Sequence, residues 1–199
     1  DVLGKYIAIR DWQLSERETG EYFCPYIAGL VTSAVSECIK EADRLFDGDE
    51  KVLLAIANAL VLSGVTISMY GISRPAAGGE HRIAHCWEVA AVNSGNNRFL
   101  HGNYVGLGTL VMAKLYELAE KEENLPPYED MPSFEQIQAY LNKMRGYSSF
   151  ETLQITKEML GESLRHAAKS KARYTLLTYL EGKGKLEKYI QLLEKEFFG

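Results

Sequence analysis

A chain of 199 residues that is 46% hydrophobic and 25% charged can bury roughly 70% of the surface its unfolded form exposes, which marks an ordinary globular chain and excludes a disordered or fibrous one. Its formal net charge of -5 and pI near 5.5 exclude the clustered basic surplus that a nucleic-acid partner requires. Cys24, Cys38 and Cys86 are scattered without CxxC spacing, which suits buried thiols in a reducing compartment, the cytoplasm by default, rather than a disulfide framework.

In chain order, the first expected element is an amphipathic helix over Val2 to Arg17, where Leu3, Tyr6, Ile7, Ile9 and Trp12 recur at three- and four-residue spacing. A second runs from Ile27 to Phe46 and stops at Asp47-Gly48. Asp49 and Glu50 then supply the negative charge that a helix N-terminus favours, opening an apolar helix through Met69. The run from Val52 to Ile72 is about as long as a bilayer requires. Asn58, Ser63, Gly64, Thr66, Ser68 and Gly71 interrupt it, so it reads as a helix buried on all sides, without membrane insertion.

Ser73-Arg74-Pro75 closes that element, and a helix from Gly79 to Val92 follows. A loop from Asn93 to Asn97 leads to a helix over Tyr104 to Lys121, which ends before Asn124 and the Pro126-Pro127 turn. Ser133 is an N-cap for Phe134 to Met144, and periodic segments over Glu151 to Ala168, Tyr174 to Leu180 and Leu186 to Phe198 complete the chain. No segment alternates as a strand does. The class is all-α, one helical domain over residues 1–199, with no glycine-rich turn after a strand to hold a dinucleotide. The chain opens on Asp without a leader pattern, as a piece of a longer chain does.

Three of the four histidines fall between His81 and His101. His81 and His85 lie four residues apart on one helix, so their rings share a face, and Glu88 continues the stripe. Imidazoles in that register can share a metal or divide the work of ligand and proton carrier, and the same spacing also occurs on solvated helix surfaces. His101 precedes a glycine and opens another helix. A cation held by two histidines needs a further ligand, and spacing leaves Glu80, Glu88 and distant carboxylates open. Arg74 stands beside a helix N-terminus, where a guanidinium can clamp a phosphate or cap a loop. His166, among basic residues, reads as a surface histidine.

At DVLGKYIAIRDWQL, SGVTISMYGISRPAAGGEHRIAHCWEV and LHGNYVGLGTLVM, which carry SRPxxGxEHxxxH followed by LHGxxVGxG, the sequence resembles the sn-glycerol-1-phosphate dehydrogenase family. That family belongs to a group of metal-dependent dehydrogenases with glycerol dehydrogenase and 3-dehydroquinate synthase. The resemblance implies a helical, bundle-like, metal-binding C-terminal domain of the dehydroquinate synthase-like or iron-containing alcohol dehydrogenase fold. An N-terminal α/β domain outside this chain would bind NAD or NADP, with the active site between the two. Carried over by motif, the metal ligands are Asp1, His81 and His101, and His85 is the catalytic proton relay or substrate contact. The resemblance assigns no role to Arg74, which stays a substrate-phosphate candidate on physical grounds. The implied cofactors are a divalent metal, zinc foremost with iron or nickel as alternatives, and NAD(P). The implied reaction interconverts dihydroxyacetone phosphate and glycerol 1-phosphate, and a homo-oligomer is a further expected partner state. Rival readings are a glycerol dehydrogenase-like or dehydroquinate synthase-like metalloenzyme, and a helical module without catalysis.

Overall fold

The structure, a computed structural model, describes residues 1–47, 49–96, 98–126, 131–143, 149–170 and 173–199, without the side chains of 43, 45 and 46. Among them every regular element is helical. These are α1 (Gly4–Thr19), α2 (Pro25–Lys40), a 3-10 helix (Ala42–Asp47), α3 (Glu50–Tyr70), α4 (Gly79–Asn93), α5 (His101–Glu123), α6 (Phe134–Lys143), α7 (Phe150–Leu153), α8 (Lys157–Ala168), α9 (Leu176–Gly182) and α10 (Leu186–Phe198). Gly48, Asn97, Pro127 and Met144, each part of an expected boundary, lie outside the described residues.

The helix ends follow from local chemistry. Gly20, at φ 75°, ends α1 by returning its N–H to the carbonyl of Glu16, a conformation that costs a glycine little. Asp49 caps α3 by accepting the N–H of Lys51 at 2.9 Å, and Thr156 and Thr175 cap α8 and α9 in the same way. The expected helix over Glu151 to Ala168 is two: Gln154 turns into the left-handed region at φ 57°, and Thr156 then starts α8 afresh. The second expected helix likewise ends early, with α2 stopping at Lys40 before the 3-10 helix.

The main core is built around α5, whose residues from Tyr104 to Met112 are all buried. Ile83, Ala84 and Trp87 of α4 and Leu160, Leu164 and Ala167 of α8 join it, with α6, α9 and α10 closing the far side. A smaller cluster places Tyr6, Ile9 and Trp12 of α1 against Ile27, Val31 and Val35 of α2. Helix α1 therefore packs on both sides, and even its Lys5, Arg10 and Asp11 are buried. Arg10 lies 3.9 Å over the Tyr116 ring and pairs with Glu120, which ties α1 to α5.

Helix α3 overturns the expectation of a helix buried on all sides. Only Val52, Ala59, Ser63 and Thr66 are buried, a narrow stripe that meets α2, while Leu54, Val61, Val65 and Met69 face outward. Periodicity reports that a segment is apolar; it does not report on how many sides a neighbour exists. With a mean hydropathy of 2.1, α3 has the length and composition of a membrane span.

Helices α4 and α5 approach each other at Gly108, where an added Cβ would lie 2.6 Å from the carbonyl oxygen of Glu80. Backbone cannot swing aside as a flexible side chain can, so Gly108→Ala must push α4 away. We expect a cost of about 1–3 kcal/mol from overpacking, which exceeds the roughly 1 kcal/mol that alanine returns in helix propensity. Thermal unfolding checks this, and an unchanged or raised Tm would show that α4 yields freely.

Candidate metal centre

The start of α1, the first two turns of α4 and the start of α5 converge on one face. His81 projects from α4 with Nε2 3.3 Å from Oδ1 of Asp1, and its ring centroid lies 5.3 Å from that of His101 at the head of α5. The His85 ring, one turn further along α4, lies 5.4 Å from His101 and 6.4 Å from His81. Three imidazoles and a carboxylate thus meet, and the expected set of Asp1, His81, His85 and His101 is brought together.

Each ring is held from behind by a carboxylate. His81 Nδ1 is 2.7 Å from Oε1 of Glu80, a fully buried residue whose same oxygen accepts the N–H of Gly78 at 2.9 Å. Glu88 serves the other two: its Oε1 lies 2.8 Å from His101 Nδ1 and its Oε2 3.1 Å from His85 Nδ1. A carboxylate has only acceptors to offer, so each ring donates from Nδ1, and in its neutral form it then presents a lone pair at Nε2. This is the arrangement by which outer carboxylates orient metal-ligating histidines. The separation of Asp1 Oδ1 and His81 Nε2 is also about the edge of a tetrahedron with ligand distances of about 2.0–2.1 Å. That pair of donors therefore suits a divalent cation, with His101 the nearest further imidazole.

A second set competes. His85, Glu88 and His101 offer ligand atoms within 4.8 Å of one another. In it, however, both Glu88 oxygens already accept ring N–H groups, so a cation there would have to displace those bonds. The Asp1, His81 and His101 set uses the nitrogens that Glu80 and Glu88 leave open, while its own carboxylate oxygen Oδ1 is shared with Lys5.

Lys5 neutralises this acidic corner. Its Nζ donates to Asp1 Oδ1 at 2.8 Å and to the carbonyl of Ala76 at 3.0 Å, and burial lowers its pKa to about 8 against the opposing pull of Glu80. His85 is the exposed member, at 64% side-chain accessibility, which leaves its Nε2 edge reachable. An open cavity of about 550 Å³ between α4 and α8 begins at His85 and is lined also by Arg82, Trp87, Glu162 and the exposed His166.

Arg74 lies apart from the histidine face. It is fully buried, donates to Glu21 through Nε at 3.1 Å and Nη2 at 2.7 Å, and its Nη1 has no partner among the described residues. Arg173 spans the same turn, donating to the carbonyl of Ala77 at 2.7 Å and to Ser73. The residue that sequence reasoning missed is Asp11. Fully buried, it accepts from Tyr116 Oη at 2.6 Å, Leu176 N at 2.9 Å and Gly79 N at 2.7 Å. One carboxylate thus fixes the starts of α4 and α9 against α1 and α5. Gly78 leaves it room, since a Cβ there would lie 2.6 Å from Asp11 Oδ2.

The fold and this face together define an all-helical unit that presents a histidine and carboxylate constellation of metal-binding type. No family model matches the chain. Glycerol-1-phosphate dehydrogenase [NAD(P)+] of Halalkalibacterium halodurans is 30% identical over 198 residues, covering 89% of this chain and 50% of that protein. The proteins of the same name from Bacillus velezensis and Staphylothermus marinus are 33% and 32% identical, over 90% and 89% of this chain and 49% and 45% of theirs. The chain is thus similar over nine-tenths of its length to proteins named glycerol-1-phosphate dehydrogenase, and it spans about half the length of the curated relatives it matches.

Proposed function

We propose that the chain is the metal- and substrate-binding half of a cytoplasmic NAD(P)-dependent glycerol-1-phosphate dehydrogenase, interconverting dihydroxyacetone phosphate and sn-glycerol 1-phosphate. The observation that carries this is the convergence of Asp1, His81 and His101 on one face in a chain about 30% identical over nine-tenths of its length to proteins of that name. Asp1, His81 and His101 would hold the divalent cation, and an N₂O donor set suits zinc as well as iron or nickel. When bound, such a cation supplies Lewis-acid stabilisation of negative charge on an oxygen.

The remaining chemistry belongs to side chains and to the nicotinamide, which the other half of the parent protein would hold. In the reducing direction a hydride passes from NAD(P)H to the carbonyl carbon of the substrate, and its oxygen takes one proton. His85 stands at the open edge of the site, where it exchanges that proton with solvent. Glu80 and Glu88 keep the rings turned so that Nε2 faces the reacting side. Arg74, fully buried and paired with Glu21 apart from the histidine face, would reach a substrate phosphate only with that pairing opened.

The test has two parts. Calorimetric titration of the chain with Zn²⁺ is expected to show one ion bound per chain. Protein that also contains a nucleotide-binding half should then consume NADH or NADPH when given dihydroxyacetone phosphate. Metal-loaded protein of that kind with no nicotinamide turnover on this substrate would sink the reading.

A further inference from the structure

Among the described residues, Glu88 is the one side chain hydrogen-bonded to two of the three clustered rings. Its two oxygens divide between them, Oε1 to Nδ1 of His101 at 2.8 Å and Oε2 to Nδ1 of His85 at 3.1 Å. The three residues come from two helices, His85 and Glu88 from α4 and His101 from α5. Glu88 is half-buried while His85 is exposed, so the carboxylate lies behind the rings and the open edges of both face outward.

We propose that Glu88 is a positioning residue that sets the tautomer and orientation of a metal ligand and a proton carrier at once. The proposal rests on the reading of His101 as ligand and His85 as proton carrier. The physical reason lies in the acceptor-only chemistry of an ionised carboxylate. The two Nδ1–H donors fall on separate oxygens of Glu88, so both of its terminal positions must be acceptors, and each neutral ring so held exposes its lone pair at Nε2. Glutamine is nearly the same size but has one acceptor oxygen and one donor nitrogen. Placed at position 88, its nitrogen would meet one ring N–H head-on, and that ring must either turn or move its proton to Nε2. If that ring is His101, the lone pair needed by the cation is lost. If it is His85, the proton acceptor on the open side is lost. His81 is outside this coupling, because Glu80 holds it separately.

The experiment pairs ¹⁵N spectroscopy of the imidazoles in the metal-free chain with Zn²⁺ titration by calorimetry, on the wild type and on Glu88→Gln and Glu88→Asp. In the wild type both His85 and His101 should show the Nδ1–H tautomer. In Glu88→Gln one of the two should switch to Nε2–H, with helix content unchanged, and Zn²⁺ affinity should fall roughly 10–100-fold. Glu88→Asp, which restores two acceptor oxygens on a shorter arm, should recover part of that affinity. Unaltered tautomers and affinity in Glu88→Gln would overturn the proposal. So would a loss beyond a thousandfold in both Glu88→Gln and His85→Ala, because that pattern makes Glu88 and His85 ligands in their own right. Should the wild type bind no Zn²⁺ while the tautomer still switches, the metal reading fails and the hold of Glu88 on both rings stands.

Discussion

Asp11→Ala is expected to destabilise the chain by about 3 kcal/mol at pH 7, a large share of the 5–15 kcal/mol that holds a typical domain together. The substitution leaves Tyr116 Oη and the N–H groups of Gly79 and Leu176 facing a space with no acceptor. Each such orphan costs about 1–3 kcal/mol. Against this, alanine removes a charge that is itself unfavourable. Burial pushes the Asp11 carboxyl up to about 6 although its three hydrogen bonds pull it back down, and relief of that charge returns about 3 kcal/mol. Three orphaned donors outweigh one relieved charge. The midpoint of chemical denaturation measures the balance, and a loss below about 1 kcal/mol would mean that Asp11 is not the tie the geometry describes.

The same residue gives a pH signature with a definite sign. A carboxyl whose folded pKa is raised binds its proton more tightly in the folded chain than in the unfolded one. Its contribution to stability is therefore complete below the unfolded value of about 4 and is lost as pH rises through about 6. Asp11→Asn has no proton to lose. The stability of the wild type relative to Asp11→Asn should consequently be greater at pH 5 than at pH 7, and a flat or reversed difference would assign Asp11 an ordinary pKa.

Asp11 also shows where sequence reading stops. In IAIRDWQL it is a charged residue between apolar ones, and charge on a helix usually means a solvated side. Its burial depends on α5, α4 and α9, whose placement no local pattern records. The exposure of α3 was hidden for the same reason: its apolar run looks identical whether one neighbour or several cover it. The break at Gln154 escaped because glutamine carries no turn signal, although Thr156 behind it is a recognisable cap. What could be read was what a single helix dictates. The shared face of His81, His85 and Glu88 follows from 3.6 residues per turn alone, and Ser133 caps α6 as expected by accepting the N–H of Gln136. Joining that face to Asp1, which precedes α1, and to His101, which heads α5, took the resemblance of the SRPxxGxEHxxxH and LHGxxVGxG segments.

The two candidate ligand sets make opposite demands on His81 and His85, so two substitutions separate them. If the cation is held by Asp1, His81 and His101, then His81→Ala and His101→Ala each delete one of three protein ligands. Zn²⁺ affinity should fall by a thousandfold or more, about 4 kcal/mol of binding free energy. His85→Ala removes no ligand in that set. It frees one Glu88 oxygen and leaves the other on His101, so the affinity should change by less than about tenfold, in line with the modest effects of outer groups. If instead the cation sits among His85, Glu88 and His101, the pattern inverts: His85→Ala abolishes binding and His81→Ala is mild. His101 is common to both sets and serves as the control that a site exists at all. The folded state should survive each change, because His85 and His101 are not core residues and His81 stands at the edge of the cluster around α5. Circular dichroism checks that survival, and a His85→Ala variant with no Zn²⁺ binding beside a His81→Ala variant that binds normally would move the centre one helical turn along α4.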